Sequence, residues 1–358
     1  MIRLEPRPQH SQRMLLLSPL LAVLLTVLTG AAVFAILDRP PLPALYVFFV
    51  QPLTTVYGLT ELGVKAAPLV LIGVGLAAGF RANVWNIGAE GQLTVGAILG
   101  GGLAIWLHDG ESAFLLPAVL LLGVLGGMAW AAIPALLRTR FNASEILTSL
   151  MLSYVATLLL SYLVHGPWRD PDGYNFPESR LFPDAATMPL LVAGSRLHLG
   201  ALLALVAAGL AWLVMARSLI GFQLRVVGIA PAAARYVGFS ENKLIWLSLM
   251  LGGGLAGLAG AIEVSGPIGQ LLPSISPGYG FTAIIVAFLG RLHPAGVVLA
   301  GLLMALTYLG GEAAQIELGT PAAVTGLFQG FLLFYLLAAD VLIAYRPRIG
   351  RPAVAGGG

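Results

Sequence analysis

The sequence predicts an all-α, polytopic membrane protein of about ten transmembrane segments, and three observations carry that prediction. Of its 358 residues, 58% are hydrophobic and only 10% charged, a balance foreign to a soluble globular surface. The apolar residues fall into separated runs near the length at which a helix crosses a bilayer. The basic residues gather in alternate connections, which is the pattern that orients spans.

Residues 14–37 open the series. That run exceeds a signal-peptide core and no small-x-small site closes it, so it reads as an anchor helix. Further runs cover 62–80, 91–107, 113–137, 145–164, 198–216, 243–265, 281–290, 294–310 and 322–344. The run 281–290 is too short to cross alone and is expected to begin in the preceding SPGYG or to stay partly broken. With the N-terminus inside, inner segments would hold 14 of the 19 Lys and Arg residues. This gives a cytoplasmic N-terminus (1–13), a transmembrane body (14–344) and a cytoplasmic tail (345–358). A net charge of +3 spread over many short loops is no nucleic-acid footprint. Cysteine is absent, which excludes disulfides and thiolate metal sites.

Residues 61–164 and 243–344 each contain four apolar runs, the first block starting outside and the second inside, which is the layout of an inverted repeat. Their second runs are entered by NIGAEGQ (86–92) and SPGYGF (276–281). Non-helical backbone at membrane depth is tolerated only where protein or a water-filled cavity satisfies it. Gly88 and Gly91 permit such a turn, and Trp85, Asn86, Glu90, Gln92, Tyr279 and Phe281 are the candidate lining of a substrate pathway. Asn86 and Glu90 are expected near its inner mouth, and the Trp85 ring is suited to stack on a flat solute. The bland alternative has Asn86 and Gln92 capping helix ends and Glu90 pairing with Arg81.

Other motifs read as structure. Gly252, Gly254 and Gly257 satisfy GxGxxG inside a long apolar run, where no strand precedes them; Gly253 and Gly257 at GxxxG spacing indicate close helix packing instead. Asn142 and Glu145 stand as a capping box. The five histidines are scattered and lack metal-site spacing, so no metal is assigned. Glu263 and Asp340 are buried acids whose partners the sequence does not name.

No GxxxxGK followed by Ser or Thr occurs: Lys65 and Lys243 are the only lysines and neither fits. ATP-driven transport would therefore draw on another polypeptide. In the loop 217–243, GIAPAAARYVG (228–238) predicts a short free-standing helix, with Pro231 suited to its first turn and Gly238 to its stop. So short a helix needs a partner surface, or the lipid headgroups, to be stable. The proline-rich stretch 165–197 is long enough to be a docking surface for an external protein, a lid or a passive connection.

Four stretches, FRANVWNIGAEGQLTVGAI (80–98), NASEILTSLMLSYVA (142–156), GFQLRVVGIAPAAARYVGF (221–239) and SPGYGFTAIIVAFLGRLHPAG (276–296), together resemble the membrane permeases of ABC importers of the monosaccharide and branched-chain amino acid superfamily. Within it the likeness is to the nucleoside, simple-sugar-type branch, and PWRDPDGYNFP (167–177) is similar to the outer loop of that branch. The resemblance implies a second permease subunit, cytoplasmic ATPase subunits carrying ATP and Mg, an external substrate-binding protein, and no cofactor on this chain. It places the ATPase contact on Ala230 to Arg235, so Arg225, Ala230, Pro231, Ala233, Arg235 and Tyr236 are the candidate coupling residues. The expected function is uptake of nucleosides or simple sugars by alternating access, without enzymatic activity on this chain. The alternatives are an ion-coupled secondary transporter using Glu90, Glu263 or Asp340, and an intramembrane enzyme, for which no catalytic constellation is present.

Overall fold

The computed structural model describes residues 2–6 and 11–349; the rest of the predicted N-terminal segment and tail lies outside them. The helices in chain order are α1 (Gln12–Ile36), α2 (Pro41–Leu45), α3 (Val56–Arg81), α4 (Ala89–Trp106), α5 (Leu115–Phe141), α6 (Glu145–His165), α7 (Leu199–Arg217), α8 (Leu219–Ile229), α9 (Pro231–Tyr236), α10 (Glu241–Glu263), α11 (Tyr279–Leu289), α12 (Pro294–Leu318) and α13 (Ala323–Ala344). Two short strands, β1 (Ile2–Pro6) and β2 (Tyr345–Ile349), pair antiparallel with Leu4 opposite Pro347.

Each of the ten predicted apolar runs falls on one helix. Among the described residues, eight helices are long and apolar enough to cross a membrane. The two runs left over are α4, whose first turn carries Glu90 and Gln92, and α11, only 11 residues long. These are the two helices entered by the interruptions that the sequence singled out.

By its contacts the chain forms two compact units, one from the chain ends up to Leu53 and from Thr307 onward, the other Thr54–Leu306. In the first unit α1 packs along α13, stapled by Ser18 Oγ donating to Asp340 at 3.1 Å and by Thr29 with Tyr335 at 2.6 Å. Asp340 thus has a partner on the anchor helix, which spacing alone did not reveal. Phe34, Phe48 and Phe328 fill the core of this unit, with Phe48 stacked on Phe328 at 4.3 Å. The ring of Phe328 occupies the space above Gly30, which is why α1 can approach so closely.

In the second unit α3 and α10 are central: 83% and 67% of their apolar windows are buried, against 28% for α5. Small residues allow this. A Cβ on Gly75 would stand 3.0 Å from the Cα of Gly252, and one on Gly253 would stand 2.5 Å from the carbonyl oxygen of Gly127. In lipid, where apolar surface gains little by leaving the solvent, such backbone-to-backbone packing holds helices together. The GxGxxG run is therefore a packing surface. Long helix, irregular segment and shorter helix follow one another twice in this unit, as α3–α4 and as α10–α11.

Candidate functional site

The first interruption begins where α3 ends. The carbonyl of Gly79 accepts from the amides of both Ala82 and Val84, at 2.9 and 3.0 Å, and Asn83 takes the left-handed conformation at φ 57°. The chain then runs without helix to Ala89. Its amides find side-chain partners: Trp85 N–H donates to Glu145 Oε1 (3.2 Å) and Ile87 N–H to Ser149 Oγ (3.2 Å). Farther on, Gly91 N–H, in the first turn of α4, donates to Ser153 Oγ at 3.3 Å. Polar side chains of α6 thus supply acceptors that hydrocarbon cannot. Gly88 and Gly91 are required for that contact, since a Cβ on either would stand within 2.7 Å of α6 backbone atoms.

Asn86 and Gln92 form a closed pair across the turn. Asn86 Nδ2 donates to Gln92 Oε1 at 2.8 Å, Gln92 Nε2 donates back to Asn86 Oδ1 at 3.1 Å, and Asn86 Oδ1 also accepts from Gly88 N–H. Both amides are buried. Asn86 Nδ2 lies 3.1 Å from where a Cβ of Gly252 would be, so the turn sits beside the middle of α10.

Glu90 joins the two interruptions. Its carboxylate accepts from Gly280 N–H at 2.6 Å and from the Ser276 hydroxyl, whose oxygen in turn accepts from Gly278 and Tyr279 N–H at 3.1 and 2.9 Å. Those donors are at the start of α11, so Glu90 caps that helix from outside it, meeting an amide that the helix leaves open. The pairing of Glu90 with Arg81 is corrected accordingly; the charged neighbour of Arg81 is Arg225. A Cβ on Gly280 would stand 2.5 Å from Glu90 Cα, so α11 begins directly against α4 backbone. Tyr279 is buried here, whereas Phe281 is 38% exposed.

Trp85 is half-buried in an aromatic stack, 5.1 Å from Phe80 and 5.8 Å from Phe288, with its indole N–H donating to Asn83 Oδ1 at 2.8 Å. Its neighbour Glu145 is not half of a capping box. The cap of α6 is Ser144, whose hydroxyl accepts from Leu147 N–H, while Asn142 is the left-handed residue ending α5. Glu145 instead pairs with Arg138 and holds the Trp85 amide, tying α5, α6 and the turn together.

The loop 217–243 contains two helices, α8 and the expected short one, α9. Ala230 precedes α9 and Pro231 starts it; Ala234 is buried in a cluster with Val84, Leu224, Val227, Leu244 and Leu249, which seats the helix. Arg225, Pro231, Ala233 and Arg235 are exposed, and Tyr236 is 94% exposed. Ala230 is half-buried.

Residues 166–198 form an ordered, mostly non-helical segment. Part of it is stitched to the stretch between α10 and α11: Met188 N–H donates to Ser265 O (2.7 Å), Phe182 N–H to Gly269 O (2.8 Å) and Ser179 N–H to Leu271 O (3.0 Å). His198 caps α7, its Nδ1 accepting from Gly200 N–H at 3.1 Å. Burial pushes the His198 imidazole down to about 4, partly offset by the nearby Glu61 carboxylate, so the ring is neutral at ordinary pH. Among the described residues no group of His, Asp and Glu side chains is placed to hold a metal ion.

The family model described as "Branched-chain amino acid transport system / permease component" matches residues 58–337. The glucose ABC transporter permease protein TsgB13 of Haloferax volcanii is 38% identical over 355 residues, covering 96% of this chain and 93% of that one. The guanosine ABC transporter permease protein NupP of Bacillus subtilis is 30% identical over 332 residues, covering 90% and 93%. A solved chain described as an inward-facing, metal-chelate type ABC transporter superposes with a TM-score of 0.50 at 19% identity, over 90% of this chain and 99% of that one, a likeness of fold alone.

Proposed function

The chain belongs to the permease-component family of branched-chain amino acid transport systems and is the membrane permease subunit of an ABC transporter, and from that premise we propose that it imports a neutral polar solute, a nucleoside or a simple sugar, by alternating access. The family implies an ATPase on a separate chain and a substrate-binding partner. ATP and Mg belong to that ATPase, which receives α9, and a second permease completes the channel. The chain lies in a bacterial inner membrane with both termini in the cytoplasm, so that α8 and α9 face inward and 166–198 outward.

The observation that most supports this reading is α9: a two-turn helix planted by Ala234 with its other side chains in the open, on a chain that lacks a nucleotide loop of its own. Arg225, Ala230, Pro231, Ala233, Arg235 and Tyr236 form the surface that takes the push. Trp85, Asn86, Glu90, Gln92, Tyr279 and Phe281 border the path. A charged cargo would call for fixed counter-charges. The one acid at the junction, Glu90, is already engaged by Gly280 and Ser276, which favours a neutral cargo.

Membrane vesicles holding the chain with its ATPase and binding protein test this. Labelled guanosine or glucose is expected to enter only with ATP and regardless of a protonophore. Ala233→Arg on the exposed face of α9 is expected to reduce uptake about tenfold or more, equivalent to about 1.4 kcal/mol of docking energy, at unchanged chain abundance. Uptake abolished by the protonophore at constant ATP would transfer the energy source to an ion gradient, with Glu90, Glu263 and Asp340 as its candidates.

A further inference from the structure

Away from the two interruptions and α9, charged side chains gather where 166–198 meets α3 and the last turn of α10. Glu61 and Lys65 come from α3, Arg196 and His198 from the segment, and Glu263 from α10, close enough to interact electrostatically with Lys65, Arg196 and Glu61. Arg196 grips Glu61 with two parallel bonds, Nε to Oε1 at 3.0 Å and Nη2 to Oε2 at 2.6 Å. The Glu61 side chain is 2% exposed and that of Arg196 54%.

Arg196 sits on a small hairpin. Leu191 N–H donates to Leu197 O at 2.8 Å and Leu199 N–H to Pro189 O at 3.0 Å, around a tip with Gly194 at φ 76°. Leu197 drops into the gap left by Gly63 on α3, where a Cβ would stand 2.7 Å from its Cδ1. An ion pair and an apolar knob fasten the hairpin to α3, while His198 at its foot lies against Gly266 beyond α10. The other edge of the segment is held quite differently, by the three backbone bonds already given together with Leu271 N–H to Ser179 Oγ (2.9 Å) and Gln270 Nε2 to Glu178 Oε2 (3.0 Å).

That asymmetry decides which contact yields first. Parting the hairpin from α3 breaks none of the segment's backbone bonds: it moves a guanidinium that is already half in water and uncovers the buried Glu61 carboxylate, whereas parting the other edge breaks backbone bonds of the segment itself. We propose that Glu61 and Arg196 are positioning residues of the transport cycle, a latch that holds the 189–199 hairpin on α3 while the pathway is closed on that side and releases it to admit solute. This rests on the alternating-access reading above.

The chain has no cysteine, so Gly63→Cys with Leu197→Cys gives a clean lock: the Leu197 side chain ends 2.7 Å from the Cβ position of residue 63, so the two introduced thiols face each other. In vesicles the oxidised double variant is expected to lose about tenfold or more of its uptake and regain it on reduction, a population shift that a mere scaffold contact would not produce. Equal uptake in the oxidised and reduced states, or a failure of the pair to cross-link, overturns the latch. Arg196→Glu is expected to lower uptake and the swapped pair Glu61→Arg with Arg196→Glu to restore it; normal uptake by Arg196→Glu also overturns the latch. Uptake by the unaltered chain reports on the transport reading, and the oxidised-to-reduced ratio on the latch.

Discussion

Replacing Glu90 by alanine removes the acceptor of Gly280 N–H and of the Ser276 hydroxyl in a place where only 8% of Glu90 is exposed. The Gly280 amide left buried without a partner costs about 1–3 kcal/mol, and the half-buried Ser276 hydroxyl loses a bond of about 1 kcal/mol. Relief of the buried carboxyl's desolvation offsets part of this, so a net loss of about 2 kcal/mol is expected. Glu90→Gln keeps an oxygen in the same position and loses only the charge, for which about 1 kcal/mol is expected. The two variants separate the capping role from the charge. Thermal unfolding of the detergent-solubilised chain, followed by a label on buried residues, gives the comparison. A midpoint lowered equally by glutamine and alanine would show that the charge, not the acceptor, holds α11 to α4. No shift in either variant would refute the junction altogether.

Two further outcomes follow from single contacts. His198 is neutral and buried with a folded value of about 4 against an ordinary 6.5, with the Glu61 carboxylate nearby. Its contribution is complete above pH 6.5 and shrinks as the pH falls toward 4, by about 3 kcal/mol at about 1.4 kcal/mol per unit; His198→Gln, which keeps an acceptor for Gly200 N–H, is expected to flatten that acid-side loss, and parallel pH profiles of the unfolding midpoint for both proteins would count against it. Gly280→Ala brings a Cβ to 2.7 Å from the carbonyl carbon of Ala89, a backbone atom that cannot swing aside, so a loss of more than about 2 kcal/mol is expected, read as a lowered midpoint; an unchanged midpoint would mean that α11 does not begin against α4.

The ten hydrophobic helices were legible because span length is a property of a single stretch of chain. The two interruptions were legible for the same reason, since Glu90 and Gln92 in a first turn, or SPGYG before 11 apolar residues, are out of place in hydrocarbon. What could not be read was pairing at long range. Nothing near Glu90 points to Gly280, 190 residues away, and nothing near Asp340 points to Ser18. Helix α8 was not foreseen within the loop 217–243. Its Gly221 and Gly228 are contact points: a Cβ on the first would stand 2.6 Å from Met215 Cα, and Gly228 lies under the carbonyl of Arg81. At the start of α6, Asn142 and Ser144 are both good capping types, and only backbone geometry shows that Asn142 ends one helix while Ser144 starts the next.

A continuous helix satisfies its own backbone, so it needs no neighbour and gains nothing from moving relative to one. The interrupted segments differ: amides in them are met by Glu145, Ser149, Ser153 and Glu90, each supplied by another stretch of chain. Such bonds contribute about 1 kcal/mol each and can be exchanged one at a time for water as a cavity opens. Two helix starts joined by one carboxylate can therefore separate in small steps, whereas the glycine-packed crossing of α3, α5 and α10 would have to part all at once. Opening is expected to concentrate at the junction for that reason. The polar residues that made NIGAEGQ conspicuous in a hydrophobic chain are the same ones that make opening it inexpensive.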